Sequence, residues 1–239
     1  MILEAKNLCV SFGGVIAVND VSIVVEERTI VALIGPNGAG KTTVFNLLSG
    51  FLRGSGKIFF AEKEISNLPS HEICRLGMAR TFQIVQPFAA QTVRENIAVG
   101  AHLRHRRRAE ALKAAEAVAA RVGLAGELDK PADSLTIAGR KRLELARALA
   151  TAPKLLLLDE VLAGLNPREI ADMIPVVRGL RESGITVLMV EHVMQAVMNL
   201  ADAAWVLSNG RLIAHGTPAE VTAHPAVIEA YLGRMKVHA

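Results

Sequence analysis

The chain has 239 residues, of which 51% are hydrophobic and 21% charged, and its 27 basic and 23 acidic side chains leave a formal net charge of +4. This composition suits one large domain with a sizeable core, and it excludes disordered, collagen-like and coiled-coil chains. With 4% aromatic residues and only a mild basic bias, the chain lacks the features of a nucleic-acid-binding surface.

The cysteines and the apolar runs bear on where the chain works. Cys9 and Cys74 match no metal-ligand or redox spacing, which fits a reduced compartment. The N-terminus lacks the basic-then-apolar order of a signal peptide. The longest candidate span, 8–25, is interrupted by Gly13-Gly14 and Asn19-Asp20 and is too broken for the roughly 18 apolar residues of a spanning helix. We therefore expect nothing to direct the chain across a membrane.

The first 50 residues predict a strand, loop and helix in succession. Two strands, 2–12 and 15–25, are joined around Gly13-Gly14, and 29–34 is a third, largely apolar strand. From Lys41 onward the apolar residues recur at helical spacing, and Gly50 stands where a helix would be capped. This order predicts the first βα unit of an α/β domain.

The rest of the chain predicts helices in the middle and a return of buried strands afterwards. The predicted elements are a helix opening at 69–72, a helix capped by Thr92 with Glu95, an Ala-rich helix over 107–121, a strand over 155–158, a helix begun by Pro167, a strand over 185–190, and a hairpin of 203–207 and 211–215 across Asn209-Gly210. Because strands of the parallel type flank the helical middle, we expect a single α/β domain over 1–239 with a helical subdomain inserted at about 86–150.

Residues 35–43 read Gly-Pro-Asn-Gly-Ala-Gly-Lys-Thr-Thr and match the phosphate-loop pattern G-x-x-x-x-G-K-T. The motif follows a predicted strand and precedes a predicted helix, which is the context that supports it. Its glycines let backbone amides approach phosphates, and the helix N-terminus adds a positive dipole end. The residues expected to contact the nucleotide here are Gly35, Asn37, Gly38, Ala39, Gly40, Lys41, Thr42 and Thr43. Lys41 would reach the β and γ phosphates, and the Thr42 hydroxyl would ligate Mg²⁺.

A second motif is the apolar run 155–158, which ends in Asp159 and Glu160. Asp159 is placed to hold the Mg²⁺ shell, and Glu160 to accept a proton from an attacking water. Alone the pair is a weak signal, but coupled to the phosphate loop it is strong. A GTPase, a small-molecule kinase and a motor-type ATPase all remain open, although no N-K-x-D guanine motif occurs in the sequence.

Three further strings decide between these classes. They are R-T-F-Q at 80–83, L-T-I-A-G-R-K-R-L-E-L-A-R at 135–147, and His192 after Val190-Glu191. With them the chain resembles an ABC transporter ATP-binding subunit over essentially its whole length. The strings at 11–14, 163–167, 191–194 and 230–233 are most similar to the ATPases of branched-chain amino acid importers. Related subunits that serve urea, other amino acids or lipopolysaccharide export share several of these strings.

The resemblance implies a fold and a role for each motif. The fold is the α/β P-loop NTPase fold of the ABC ATPase type, with a mixed sheet core, an antiparallel β part and an inserted helical subdomain. Phe12 would stack on adenine, although by itself it would be taken for a core residue. Gln83 would ligate Mg²⁺ where a membrane subunit docks. His192, which alone would be an ordinary strand-end histidine, would contact the γ-phosphate and hold the attacking water with Glu160.

The stretch 135–139 departs from the family's usual signature, L-S-G-G-Q, because both glycines and the glutamine are replaced. Thr136 keeps the hydroxyl, and the amides of Ala138 and Gly139 remain as donors to a nucleotide held by an opposite subunit. A Cβ at Ala138 is expected to penalise any positive φ there. We therefore expect this signature to contribute less to the partner's site than the usual one does. Val161 and Asn166, where a proline and an aspartate are frequent, matter less.

The resemblance also implies cofactors, partners and a location. These are ATP and Mg²⁺, a second ATPase subunit that is either a copy or a sibling of this chain, transmembrane permease subunits, and indirectly an external solute-binding protein. The chain would then be peripheral at the cytoplasmic face of the plasma membrane. A non-transport ABC-type ATPase and a regulatory module without turnover are the alternatives. The first usually needs a long insertion or two fused ATPase domains, and the second conflicts with a complete set of catalytic residues.

Overall fold

The computed structural model describes residues 1–83 and 86–232, in which the strands form two sheets. The strands of this part are β1 Leu3–Phe12, β2 Val15–Val25, β3 Ile30–Ile34, β4 Ser55–Phe60, β5 Lys63–Glu64, β6 Met78–Arg80, β7 Leu155–Asp159, β8 Thr186–Val190, β9 Ala203–Ser208 and β10 Arg211–Gly216. The helices are α1 Lys41–Leu48, α2 Ser70–Leu76, α3 Val93–Ala101, α4 Arg108–Arg121, α5 Ile137–Leu149, α6 Pro167–Glu182, α7 Met194–Leu200, α8 Pro218–Ala223 and α9 Pro225–Leu232. No helix within these ranges is both long and apolar enough to span a bilayer.

The smaller sheet is antiparallel, with the strand order β2-β1-β4-β5. Gly13 and Gly14 join its first two strands with φ of +51° and +89°, the left-handed conformation that a two-residue hairpin turn of this hand requires. Along β2 the buried Val21, Ile23 and Val25 alternate with exposed positions, as expected for a strand with one face on a core. This sheet is the antiparallel part that the sequence predicted.

The larger sheet has the order β10-β9-β3-β8-β7-β6, and every neighbouring pair in it is parallel except β9 with β10. All residues of β3, β7 and β8 are buried, because both faces of this sheet are covered. Parallel strands bring their carboxyl ends to one edge. The segments that follow β3, β6, β7 and β8 therefore meet at the same edge. In that order, they are the phosphate loop and the loops that contain Gln83, Glu160 and His192.

Alternate residues of β3 are buried in two separate hydrophobic cores, one on each face of the larger sheet. Val31 and Leu33 pack toward the antiparallel sheet and α1, whereas Ile30, Ala32 and Ile34 pack with the helices on the other face. The second core continues into α3, α4 and α5 between β6 and β7, so the helical segment shares its apolar interior with the parallel sheet.

Most of the predicted elements are confirmed within one or two residues. Thr92 and Glu95 form the predicted capping box of α3, and Pro167 occupies the first turn of α6. The strands β4, β5 and β6 and the helices α7, α8 and α9 were not predicted. β6 has only three residues and exists because it pairs with β7, more than 70 positions away in the chain, which no local pattern reveals.

Candidate nucleotide site

The phosphate loop runs from the end of β3 to the start of α1 and passes close to other backbone. A Cβ at Gly35 would collide with the carbonyl oxygen of Leu207 on β9, and one at Gly40 would collide with that of Ala17 on β2. Gly40 also has a φ of +103°, which side chains rarely tolerate. The two glycines therefore let the loop lie against both sheets while α1 begins directly at Lys41.

The Lys41 side chain is buried and folds back over the loop. Its ammonium donates hydrogen bonds to the carbonyl oxygens of Gly35 at 2.8 Å and Pro36 at 2.9 Å. Burial lowers the pKa of Lys41, while the charges of Glu160 and Asp159 oppose that shift. A phosphate oxygen offers an acceptor of the same kind, so the ammonium is already held where the motif requires it.

Asp159 ends β7 as a buried carboxylate with two unlike oxygens. Its Oδ2 lies 2.7 Å from the Arg80 guanidinium, whereas its Oδ1 has no hydrogen-bond partner among the described residues. A buried carboxylate oxygen without a donor suits a hard cation, for which oxygen ligands are preferred. Thr42, Gln83 and Asp159 line one cleft together, so the three residues predicted as Mg²⁺ ligands fit that ion.

Glu160, the next residue, has an unusual backbone conformation, and its side chain is approached by residues of distant loops. Its φ is +48°, a conformation that is uncommon for residues with a Cβ and that recurs at functional sites. The Gln83 side-chain amide donates to Glu160 Oε2 at 2.7 Å. His192 Nδ1 lies 4.0 Å from Oε1 of the same carboxylate. Gln83 and His192, from two other loops, therefore lie on either oxygen of the Glu160 carboxylate, and the three predicted catalytic residues are close together.

These groups share an open cleft of about 680 Å³ with the phosphate loop. The predicted residues that line it are Asn37, Gly38, Ala39, Gly40, Lys41, Thr42, Thr43, Gln83, Glu160 and His192. Ala17 of β2 completes the wall and had no sequence signal. The cleft therefore combines a loop that can hold phosphate groups, the ammonium of Lys41, and the carboxylate of Glu160 with the imidazole of His192 beside it.

Five predicted contact residues do not line this cleft. One is Gly35, which begins the phosphate loop and whose carbonyl oxygen accepts a hydrogen bond from Lys41. Phe12 is 50% exposed at the end of β1, so it is not a core residue, and its adenine contact stays a prediction. Thr136, Ala138 and Gly139 lie at the N-terminal end of α5 and line none of the clefts described above. Their contact with a nucleotide on an opposite subunit also stays a prediction.

The conformation of this signature segment bears on two expectations. Ala138 lies inside the first turn of α5 with a helical φ, so the penalty that a Cβ puts on a positive φ does not arise in this conformation. The amide of Gly139 donates to the Thr136 hydroxyl at 3.1 Å, so it is already engaged in capping the helix. Ile137, which replaces a glycine of the usual signature, is 65% exposed. The difference from the usual signature is therefore one of bulk at a helix N-terminus.

Sequence reasoning missed Lys141, a buried lysine behind the catalytic carboxylate. Its ammonium donates to the carbonyl oxygen of Glu160 at 3.0 Å and to that of Gln83 at 3.2 Å. Burial lowers the pKa of Lys141, against the charges of several carboxylates, Glu191 first. Its spacing of four residues from buried Leu145 was the available signal, since it puts the lysine on the apolar face of α5.

Glu191 is a second buried residue behind the cleft that was not assigned a role. Its Oε1 accepts a hydrogen bond from the Leu162 amide at 3.0 Å, and the carboxylate also accepts from the His192 backbone. Its Oε2 has no partner within the described residues. Burial raises the pKa of Glu191 to about 7. Glu191 thus ties the loop after Glu160 to the loop that carries His192.

Comparisons with known proteins agree with this geometry. The ABC transporter family profile matches residues 18–163, and the profile of the branched-chain amino acid ATP-binding cassette transporter family matches residues 211–236. The chain is 42% identical over 250 residues to the high-affinity branched-chain amino acid transport ATP-binding protein BraF of Pseudomonas aeruginosa, covering 97% of this chain and 98% of that one. It is 41% identical over 249 residues, with the same coverage, to the corresponding LivG protein of Salmonella typhimurium.

Among solved structures, the ADP conformation of an ATP-binding cassette from an ABC transporter is similar with a TM-score of 0.88 and 33% identity. That match covers 98% of this chain and 99% of the other. The fold, the phosphate-loop cleft and the sequence matches agree with one another, and the chain belongs to the ABC transporter family of ATP-binding subunits.

Proposed function

We propose that this chain binds ATP with Mg²⁺ and hydrolyses it to drive a membrane transporter that imports branched-chain or related amino acids. The observation that carries the catalytic part is the single cleft in which the phosphate loop faces Gln83, Glu160 and His192. The observation that favours this solute class is the match of residues 211–236 to the branched-chain amino acid cassette family.

In the cleft, the chain's own groups have separate tasks. The loop amides and Lys41 hold the β and γ phosphates, and Thr42, Gln83 and Asp159 supply oxygens to Mg²⁺. The ion held by these residues would supply positive charge to offset the charge that develops on the phosphate oxygens. Glu160 accepts a proton from the water whose oxygen attacks the γ-phosphorus, as the bond from that phosphorus to the ADP oxygen breaks. His192 lies beside the Glu160 oxygen that Gln83 does not contact, and there it orients the γ-phosphate and the water.

We propose that two ATPase subunits close on each other, each nucleotide lying between one phosphate loop and the other subunit's signature helix. The exposed N-terminal end of α5, with Thr136 and Ile137, is the surface that would face the opposite nucleotide. Helix N-termini favour anionic groups, which suits a γ-phosphate. The second subunit is a copy or a sibling of this chain.

The membrane partner would dock in a groove beside Gln83. The groove has a volume of about 290 Å³ and lies between α2, α3 and α5, with Phe51 and Phe82 among its lining residues. Closing and opening of the ATPase pair would move the permease subunits through this contact and alternate their access. The chain would then be peripheral at the cytoplasmic face of the plasma membrane, and an external binding protein would deliver the solute.

The test is to purify the transporter through a tag on this chain and to reconstitute it in liposomes with its binding protein. We expect leucine, isoleucine or valine to stimulate ATP hydrolysis and to accumulate inside the vesicles, and we expect a Glu160→Gln complex to do neither. Stimulation by urea or by other amino acids alone would overturn the solute assignment. Lipopolysaccharide extraction from the membrane, or purification of the tagged chain without any membrane protein, would overturn the importer itself.

A further inference from the structure

Arg80 lies at the end of β6, three residues before Gln83, and its buried side chain crosses toward the nucleotide site. Its Nη2 lies 2.7 Å from Asp159 Oδ2. Its Nη1 donates to Asn46 Oδ1 at 2.6 Å and to Ser49 Oγ at 3.1 Å, both on or next to α1. One guanidinium therefore joins the helix that follows the phosphate loop to the carboxylate at the end of β7.

This contact leaves Asp159 in a defined arrangement. Arg80 engages only Oδ2, while Oδ1 has no hydrogen-bond partner in the described part of the chain. A guanidinium presents its donors in a rigid plane, so it fixes the orientation of a carboxylate that it contacts. Arg80 thereby holds the remaining oxygen of Asp159 free for the cation.

The other surroundings of the Arg80 guanidinium are aromatic and partly open. The guanidinium carbon is 5.5 Å from the ring centroid of Phe82 and 5.9 Å from that of Phe51. The two rings meet edge to face at 5.5 Å, and they are 42% and 56% exposed. Both rings line the groove between α2, α3 and α5, and Arg80 contributes to its floor.

We propose that Arg80 is a positioning residue that couples occupancy of this groove to the metal carboxylate. The inference rests on the proposed function, in which a membrane subunit covers the groove. The Arg80 side chain is only 6% exposed, and the rings of Phe51 and Phe82 are the exposed part of its surroundings. An apolar side chain laid over these rings removes water from beside the guanidinium and lowers the local dielectric, which strengthens the attraction of Arg80 to Asp159. Docking then fixes the metal ligand more firmly and raises the affinity for Mg·ATP.

The first experiment measures the dissociation constant of ATP for the purified chain, with Mg²⁺ and with EDTA. Residues that orient a metal ligand typically affect metal affinity by about 10- to 100-fold. We expect Arg80→Met to weaken Mg·ATP binding by about that factor and to leave metal-free ATP binding within about twofold. Arg80→Lys, which keeps the charge and is the variant to use if Arg80→Met does not fold, should fall between.

The matched control is Arg181→Met, because Arg181 makes an ion pair of the same 2.7 Å length with Asp202 and lines neither the cleft nor the groove. This variant should leave the ratio of the two dissociation constants unchanged. If Arg80→Met weakens both forms of ATP equally, Arg80 has only a structural role and the proposal fails.

The second experiment compares that ratio for the isolated chain and for the chain in its purified membrane complex. For the natural sequence we expect the complex to show the larger Mg²⁺-dependent gain, and for Arg80→Met, which has no charge at this position, we expect no increase. An equal increase in both proteins would overturn the coupling through Arg80. Failure of the proposed function shows differently, because no membrane protein would then purify with the chain, whereas the first experiment on the isolated chain would still test the role of Arg80.

Discussion

At the end of β7, the Glu160 carboxylate is held by groups that come from distant parts of the chain. Gln83 donates to one of its oxygens at 2.7 Å, and His192 lies 4.0 Å from the other. Lys141 donates a hydrogen bond to the backbone carbonyl oxygen of the same residue. Glu160 is therefore held through both its side chain and its backbone, which suits a group that must meet a water molecule at one defined position.

The substitution Glu160→Gln tests that role. An amide keeps the shape of the side chain but cannot accept the proton, and loss of a general base typically costs about 10²- to 10⁴-fold in rate. We expect the variant to bind ATP normally, to hydrolyse it at a rate reduced by that factor, and to accumulate as a closed pair. Glu182→Gln, an exposed position at the end of α6, is the control. A normal turnover number for Glu160→Gln would remove Glu160 from the mechanism.

Glu191 gives a pH dependence whose sign follows from its burial. Its pKa is raised from 4.5 to about 7, so the fold favours the protonated carboxyl. The stabilisation is therefore complete below about pH 4.5 and is lost as the pH rises through about 7. Lys141 and Glu160 are the charged groups that face it, and they act in opposite directions. At about 1.4 kcal/mol per pKa unit, the loss is on the order of 3 kcal/mol.

The measurement is the free energy of unfolding of the nucleotide-free chain between pH 5 and pH 8, compared with that of Glu191→Gln. We expect the natural protein to lose stability relative to the variant over this range, because the amide does not titrate. Parallel pH profiles for the two proteins would mean that Glu191 stays ionised in the fold.

Among the elements, α5 carries two functions on two faces. Its N-terminal end presents the signature segment, and its buried face presents Lys141 to Gln83 and Glu160. A helix of 13 residues is stiff, so in the proposed pair a displacement at the signature end would reach the catalytic loop of the same chain. The helix would thereby link a partner's nucleotide to this chain's own site.

The substitution Ala138→Gly tests the contribution of bulk at the signature. Removing the Cβ in the first turn restores room for close approach of a phosphate, at a cost of about 1 kcal/mol in helix stability. We expect faster ATP turnover by the reconstituted pair and a slightly lower melting temperature. Ala117→Gly, at an exposed position of α4, has the same helix cost without the gain in turnover. An unchanged rate for Ala138→Gly would show that Ala138 does not weaken the partner's site.

At the scale of the whole molecule, the complete catalytic set and the altered signature would belong to different composite sites of the proposed pair. The cleft holds this chain's phosphate loop and Glu160, whereas the signature at 135–139 would complete the site of the opposite subunit. A sibling subunit with the usual signature would therefore complete the nucleotide site at this chain's cleft with the glycines that this chain's own signature lacks. A second copy would supply only the altered segment.

ATPase rate against protein concentration distinguishes these assemblies. If two copies form a competent pair, the rate should rise as the square of concentration while most of the protein is monomeric. Negligible turnover with normal ATP binding would instead mean that a sibling or the membrane subunits are required. Glu160→Gln gives the background rate in both cases.

The order of elements and the chemistry of the main motifs were predictable from the sequence because both are local. The phosphate loop occupies one stretch of nine residues, and its strand and helix neighbours follow from periodicity. The hairpin turns at Gly13-Gly14 and Asn209-Gly210 likewise follow from backbone preferences of single residues. The position of Asp159 and Glu160 after an apolar strand could be read from the sequence, but their catalytic role could be predicted only because a phosphate loop is also present.

Only the tertiary structure decided which distant side chains meet. β6 forms because β7 offers it hydrogen bonds, and this pairing is what brings Arg80 to Asp159 and Gln83 to Glu160. Lys141 and Glu191 acquire altered pKa values from burial, which depends on every element packed around them. The sequence by itself determined the phosphate-binding chemistry and the class of fold. The parallel sheet, by aligning the carboxyl ends of strands far apart in the chain, decided how that chemistry is assembled.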